Sequence, residues 1–470
     1  MNKKICLFLF CILLSSCIKH LDNKYDTTNA SYWANTYIFS VLVPKQLKPA
    51  PTVFSYTPND FAFIVGESYT SKTGFSTQIN GTIDSVIASP ALPAGIRFGS
   101  NWTIVPNSPQ TSQAQTKYII TACNSFGCMS TDVLIQIVNT IGNFVWGQFG
   151  QFTTSITNAN GVSANSLSTP RGLALDSSGG LYIADTVNNR VLYYTEGSST
   201  ASRVYGQLGS FTSNVADNGG ISANSLNFPS SVAVDSNDGL YIGDYLRILY
   251  YPAGRTTATV VYGQGGSFTT RNGSGISAST FSAQTGLAVD ANDNLYVTDP
   301  NNSRVLFFPA GSTVATRVYG QRGNFTTNSA NQFSNTMDNL SNPYCVFAHS
   351  SGTVYICDSG NSRVLSYESN QTTASASLTY NVSSLDRLYG FTGIYVDSKK
   401  GIYVTYPANY SVYYFASMQS TALKFSIGGT DLNGVTTKSM SSNPYSVILD
   451  KNGNIYISDS GFNRVIKYNQ

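Results

Sequence analysis

Val145-Trp146-Gly147-Gln148 recurs down the chain as Val-Tyr-Gly-Gln at 204–207, 261–264 and 318–321. Between the copies runs a second phrase: an apolar stretch closing on Asp, a turn, then Leu-Tyr-Ile/Val-x-Asp and an Arg. That phrase occurs six times, so most of the chain is one supersecondary unit repeated. Repetition of this kind dictates architecture and leaves function to the loops and to the copies that deviate.

The first element of each unit reads GLALD from 172, SVAVD from 231, GLAVD from 286, CVFAH from 345, GIYVD from 393 and SVILD from 446. The second ends at Asp185, Asp244, Asp299, Asp358, Tyr406 and Asp459. The third begins at Arg190, Arg247, Arg304, Arg363, Ser411 and Arg464. Short runs rich in β-branched and aromatic residues, bounded by Gly, Asn, Asp and Ser, make three antiparallel strands per copy. Val-Tyr-Gly-Gln is the fourth, with degenerate versions at 375–381 and 423–429. The last copy stops at Gln470, directly after its third strand, whereas 143–148 has no three strands before it. Pairing the two completes six four-stranded blades and leaves no open edge. The expected fold is therefore all-β: a six-bladed β-propeller over 143–470 whose N-terminal strand closes the last blade. Deleting 143–148 is expected to open the ring; deleting 51–140 is not.

The repeat resembles NHL repeats, whose usual form is Pro-x-Gly-Ile-Ala-Val-Asp, Gly-Asn-Ile-Tyr-Val-Ala-Asp, Asn-x-Arg-Ile. The resemblance implies a propeller that serves as a recognition platform. Lactonase and lyase relatives of the six-bladed fold hold a central metal with acids or histidines. This sequence has no comparable unique His/Glu cluster, so no catalytic residue, metal or cofactor is assigned.

Asp185 with Arg190, Asp299 with Arg304, Asp358 with Arg363 and Asp459 with Arg464 recur at one spacing. A catalytic group needs one copy, so four identical pairs read as turn-fixing hydrogen bonds. Asp244 and Arg247 stand two residues closer, and Tyr406 and Ser411 replace the pair altogether. Asp176, Asp235, Asp290, Asp397 and Asp450 open the turns between strands one and two. They read as Asx-type turns rather than calcium loops, which would close on a bidentate Glu.

The connections from strand four to the next strand one run about twenty residues in the first three copies, long for a compact domain. They share a face with the Asp–Arg turns, and Phe152, Phe211, Phe268 and Phe325 are expected to pin them. Just before strand one, at the channel mouth, stand Arg171, Ser230, Thr285, Tyr344, Thr392 and Tyr445. This series varies from blade to blade as a recognition surface does, and these six are the candidate ligand-binding residues.

Residues 1–16 carry Lys3 and Lys4 and then an apolar run too short to span a bilayer, the pattern of an export signal. Leu14-Ser15-Ser16-Cys17 resembles the lipobox of bacterial lipoproteins, which implies cleavage before Cys17 and its acylation. Residues 17–50 then form a tether, with strand composition at 38–43. No Asp follows Cys17, which favours the outer membrane. Residues 51–140 have strand composition, and Ser89-Pro90-Ala91-Leu92-Pro93-Ala94-Gly95-Ile96 with the later 118–124 resembles immunoglobulin-like domains of bacterial surface proteins, implying a spacer.

Cys123 and Cys128 flank a hairpin loop and are a candidate disulfide outside the cytoplasm. For Cys345 and Cys357, the register of the neighbouring repeats places Cys357 opposite Val346. That puts the two thiols on opposite faces, and free buried thiols are expected. Removing 1–16 leaves 25 Lys+Arg against 24 Asp+Glu, and only 11% of the chain is charged. A nearly neutral surface excludes nucleic acid as the partner. The sequence thus points to a lipid-anchored envelope protein binding an unidentified protein or glycan. The alternatives are a metal-dependent lactonase- or lyase-type enzyme and a structural envelope component.

Overall fold

The computed structural model describes residues 50–57, 59–65, 76–272, 275–283, 285–330, 336–379, 390–416, 418, 425–428, 436, 439–441 and 443–470. The expected export signal, Cys17 and the strand expected at 38–43 lie outside the described residues. Within them the chain is all-β, joined by turns and short 3-10 segments. No helix is long and apolar enough to cross a membrane among the described residues.

Six four-stranded antiparallel sheets make the blades. Blade one is Pro170–Leu175, Leu181–Asp185, Arg190–Tyr194 and Arg203–Tyr205. The innermost strands form a closed circle: Pro170–Leu175 neighbours Pro229–Val234, followed by Leu287–Val289, Cys345–Ala348, Gly393–Val396 and Pro444–Leu449, which returns to the first. Blade six is completed by Phe144–Trp146, antiparallel to Arg464–Tyr468 with Val145 opposite Ile466. Closure thus comes from the N-terminal strand, as the count of ends predicts. The two degenerate outer strands form at Ala376–Thr379 and Phe425–Gly428.

The recurring residues have separable physical tasks. Strand two is buried along its whole length, facing neighbouring blades on both sides, which is why Leu-Tyr-Ile/Val-x-Asp is continuously apolar up to its Asp. In Val-Tyr-Gly-Gln the glycine has φ of +95° at Gly147 and +94° at Gly206, a region L side chains rarely enter. Gln148 and Gln207 then organise the following loop. The Gln207 Nε2 donates to the carbonyls of Asn189 and Val215 at 2.8 Å each, and its Oε1 accepts from Ser213 Oγ at 2.7 Å.

Packing at the axis alternates around the ring. A Cβ on Gly172 would stand 2.7 Å from the Ser231 Cα, and one on Gly393 2.5 Å from the Tyr445 carbonyl oxygen. Glycine in blades one, three and five therefore meets Ser231, Cys345 and Ser446 in blades two, four and six. This alternation lets the six inner strands approach to backbone contact.

The N-terminal unit contains β1 (Val53–Thr57), β2 (Asp60–Ile64), β3 (Ser76–Asn80), β4 (Ser85–Ser89), β5 (Ile96–Phe98), β6 (Ile104–Pro106), β7 (Gln113–Asn124) and β8 (Gly127–Val138). Sheet β2-β8-β7-β4, with β2 parallel to β8, shares one core with the pairs β1-β3 and β5-β6. Phe54, Phe61, Phe63, Tyr118, Ile120, Val133 and Ile135 fill that core. Cys123 and Cys128 face one another at the end of the β7–β8 hairpin and form a disulfide. The loop is tighter than the sequence suggests, because Asn124 pairs with Gly127 and only Ser125 and Phe126 turn.

This unit docks on the propeller. Ala62 and Val138 join a core with Val145, Tyr403 and Tyr414, and the Lys399 ammonium donates to the Gln115 carbonyl at 2.9 Å. Asn139 and Gln470 exchange two hydrogen bonds, of 3.0 and 2.8 Å. The contact lies at the strand-one-to-two turns of blades five and six.

The expectation of free thiols at Cys345 and Cys357 is corrected. The two residues are directly opposite and form a disulfide. The His349 turn keeps five residues between Ala348 and Val354, so Val346 faces Ile356 and Cys345 faces Cys357. A register misjudged by one residue exchanges the faces of every side chain on a strand.

Candidate functional site

One face of the ring carries the turns between strands two and three together with the long connections into strand one. In blade one the Arg190 Nε donates to Asp185 Oδ2 at 2.7 Å, with both side chains fully buried. The other carboxylate oxygen accepts the Ser168 N–H at 2.6 Å, and Asn188 Nδ2 donates to Oδ2 at 2.8 Å. The rest of the guanidinium serves the loops: Nη1 donates to the Phe211 carbonyl and Nη2 to those of Ser163 and Ser166. The same fork recurs at Arg304 with Asp299, at Arg363 with Asp358 and at Arg464 with Asp459. Burial pushes the Asp185, Asp358 and Asp459 carboxyls up, and the adjacent guanidinium and hydrogen-bond donors oppose that push. Each pair thus pins the long loops on either side of its blade. The loop phenylalanines contribute their carbonyls to the arginine as well as their rings to the cores.

Blades two and five deviate differently. Asp244 and Arg247 still pair at 2.7 Å across a two-residue turn, and Arg271 supplies a second guanidinium to Asp244 at 2.8 Å. No sequence spacing announced Arg271, which arrives from the loop after strand four. In blade five an aromatic cluster replaces the ion pair. Tyr406 is buried, with ring centroids 5.7 Å from Phe391 and 5.3 Å from Tyr413.

On the opposite face the Asx reading of the strand-one-to-two turns matches the geometry. Asp176 Oδ1 accepts from Ser178 N and Gly180 N, and Asp450 Oδ1 from Asn452 N and Asn454 N. His349 bridges Ser351 and the Asp397 carbonyl, a link between blades four and five.

The channel-mouth residues converge. Arg171, Thr285, Tyr344, Thr392 and Tyr445 line one basin of about 350 Å³ on the long-loop face, together with Asn342, Ser359, Gly390, Pro407 and Asn443. Ser230 is instead part of the channel wall beneath, a cavity of about 370 Å³ lined by the inner strands. The Thr285 and Thr392 hydroxyls are engaged in the ring: they donate to the carbonyls of Tyr344 at 2.9 Å and Pro444 at 3.0 Å. Arg171, Tyr344 and Tyr445 are the other three of these mouth residues that line the basin. The Arg171 guanidinium stands 5.0 Å from the Tyr445 ring centroid, and its Nε is enclosed without a partner among the described residues. Burial raises the Tyr445 phenol, and Arg171 opposes it. No group of three or more His, Cys, Asp or Glu side chains with metal-binding proximity occurs among the described residues.

Residues 167–194 match the family model of the NHL repeat. They span the entry, strands one and two, and strand three of blade one, the segment that carries Arg171, Asp185 and Arg190. No curated protein matches the chain. Among solved structures, a structural genomics protein of unknown function from Bacteroides thetaiotaomicron is similar over 91% of this chain and 98% of its own, at 13% identity and a TM-score of 0.49. A streptogramin B lyase covers 68% of this chain and 86% of its own at 12% identity and 0.41. A gluconolactonase from Xanthomonas campestris covers 70% and 98% at 14% and 0.42. At such identities the likeness is one of fold.

The basin is asymmetric because the blade entries around it differ. Asn342-Pro343-Tyr344 and Asn443-Pro444-Tyr445 enter blades four and six, whereas blade five enters through Gly390-Phe391-Thr392. Tyr344 and Tyr445 thus flank the smaller Gly390 and Thr392 of blade five. The repeated Asn-Pro-Tyr was the available sequence signal for Asn342 and Asn443.

Proposed function

We propose that this is a lipid-anchored protein of the bacterial cell envelope, held at the outer membrane through Cys17, whose propeller binds a protein or glycan on its long-loop face. The observation that carries the reading is the convergence of five of the six mouth residues in one basin whose Arg171 Nε has no partner among the described residues. Repetition maintains the ring, so a site built where the blade entries depart from a single residue type answers to a ligand.

The placement of the N-terminal unit supports the same reading, with the immunoglobulin-like resemblance assigning it a spacer role. Ala50, the first described residue, lies against Gly127 at the tip of the β7–β8 hairpin. The opposite end of that hairpin, at Gln115 and Val138, contacts the propeller face away from the basin. A chain arriving from a membrane anchor would enter at the end of the unit remote from the propeller, on the side away from the basin.

The test is capture from intact cell envelope by the purified protein and by Arg171→Ala and Tyr344→Ala variants of unchanged thermal stability. Specific capture by the parent protein and its loss in both variants is expected. Capture that ignores both substitutions overturns the basin as the binding site. An activity abolished by chelation would replace this reading with the lactonase- or lyase-type enzyme.

A further inference from the structure

Resting on that reading, we infer that the basin takes the acidic end of a saccharide: a sugar ring bearing a carboxylate. Among the described lining residues Arg171 is the one cation, and no Asp or Glu stands there. The basin is therefore complementary to a single negative charge. The guanidinium is held against the Tyr445 ring, which is 7% exposed and cannot swing away. A planar fork fixed on an aromatic face offers paired N–H donors in the geometry that carboxylates accept.

The remaining surface suits a polyhydroxylated ring. Tyr344 is half-buried on the wall opposite Arg171, leaving part of its ring for the apolar face of a sugar. The side chains of Asn342 and Asn443 line the basin, and each amide carries both donors and an acceptor suited to hydroxyls. About 350 Å³ is at the small end of ligand pockets, enough for a terminal sugar rather than a folded partner.

An extended acidic peptide fits less well because the rim backbone is already paired. Tyr344 N–H donates to the Cys357 carbonyl, Thr392 N–H to that of Thr405 and Gly360 N–H to that of Ser341. Among the described residues no strand edge is left there for main-chain recognition.

Titration calorimetry of the full chain with tetragalacturonate, with its carboxyl-reduced neutral counterpart and with a tetraglutamate peptide tests the assignment. The uronate should bind, the neutral sugar should bind about tenfold or more weakly, and Arg171→Gln should remove that preference. Tyr344→Ala should weaken both sugars together, since stacking does not depend on the carboxylate. Equal affinity for the two sugars, a preference that survives Arg171→Gln, or binding of the peptide in place of the uronate overturns the inference. The platform reading fails separately: envelope capture lost in Arg171→Ala with no uronate binding leaves it standing, whereas capture indifferent to Arg171 and Tyr344 removes it.

Discussion

The guanidinium of Arg464 donates to the backbone carbonyl of Phe152 at 2.5 Å, joining the last strand of the chain to its first long loop. The same side chain is fully buried and donates to Asp459 at 2.8 Å. Ring closure thus rests on a charged fork as well as on the paired strands. Replacing Arg464 with Met leaves the Asp459 carboxylate buried without its counter-charge. A loss of about 3–5 kcal/mol is expected, read from denaturant midpoints. Lys117 and Asp132, 59% and 55% exposed, form an ion pair of the other kind. Lys117→Ala should change stability by less than about 1 kcal/mol. Equal effects of the two substitutions would contradict the assignment.

Deleting 143–148 removes Val145 and Trp146 from the outer edge of blade six, where Trp146 also donates its indole N–H to the Ser198 carbonyl at 2.8 Å. Arg464–Tyr468 would become an unpaired edge, and its neighbours would lose the contact that closes the circle. Hydrogen exchange should accelerate across blades six and one together, and the protein should aggregate. Deleting 51–140 instead uncovers Tyr403 and Tyr414 but cuts no blade. That protein should retain a cooperative transition at somewhat lower stability. A ring that survives the first deletion and fails the second would reverse the argument.

The Cys345–Cys357 bridge closes a loop of about twelve residues within one hairpin, for which chain entropy gives about 3 kcal/mol. Denaturing the protein without reductant and alkylating it should leave both cysteines unlabelled by mass spectrometry. The Cys345→Ser, Cys357→Ser double variant should fold with a lowered thermal midpoint. Two labelled thiols would restore the reading of separate buried cysteines.

How far the sequence carried varies with the physics of each feature. Blade boundaries, ring closure and the Asp–Arg pairs were legible because each is repeated, and a period tolerates local error. The bridge from Cys345 to Cys357 was misread because period two makes a strand's facing depend on a single residue of turn length. Arg271 was invisible because its partners, Asp217 and Asp244, are 54 and 27 residues away with no phrase linking them. The channel-mouth series was found by its variation from blade to blade. The engagement of Thr285 and Thr392 with neighbouring carbonyls is a matter of side-chain direction, which variation does not encode.

Strand three ends on Tyr194, Tyr251, Tyr367 and Tyr468, each fully buried with a hydroxyl that has no partner among the described residues. Burial pushes all four phenols up, and the nearby carboxylates Asp185, Asp244, Asp358 and Asp459 push in the same direction. Tyr250, nearer the surface, is pushed up to about 12. In the unfolded chain tyrosine ionises near pH 10. Above about pH 10 the unfolded state therefore holds fewer protons than the folded state, so stability falls as pH rises, by about 1.4 kcal/mol per pH unit for each such phenol. Below that range the phenols are neutral in both states and contribute no pH dependence. Denaturant midpoints should accordingly be flat in the tyrosine contribution below about pH 9 and drop steeply above about pH 10, with phenolate absorbance appearing together with unfolding. Phe308 already occupies the equivalent place in blade three and Phe415 in blade five. Tyr194→Phe should therefore be tolerated at neutral pH and should make the alkaline slope shallower by one phenol. A marked loss of stability at neutral pH would mean that the Tyr194 hydroxyl has an internal partner after all.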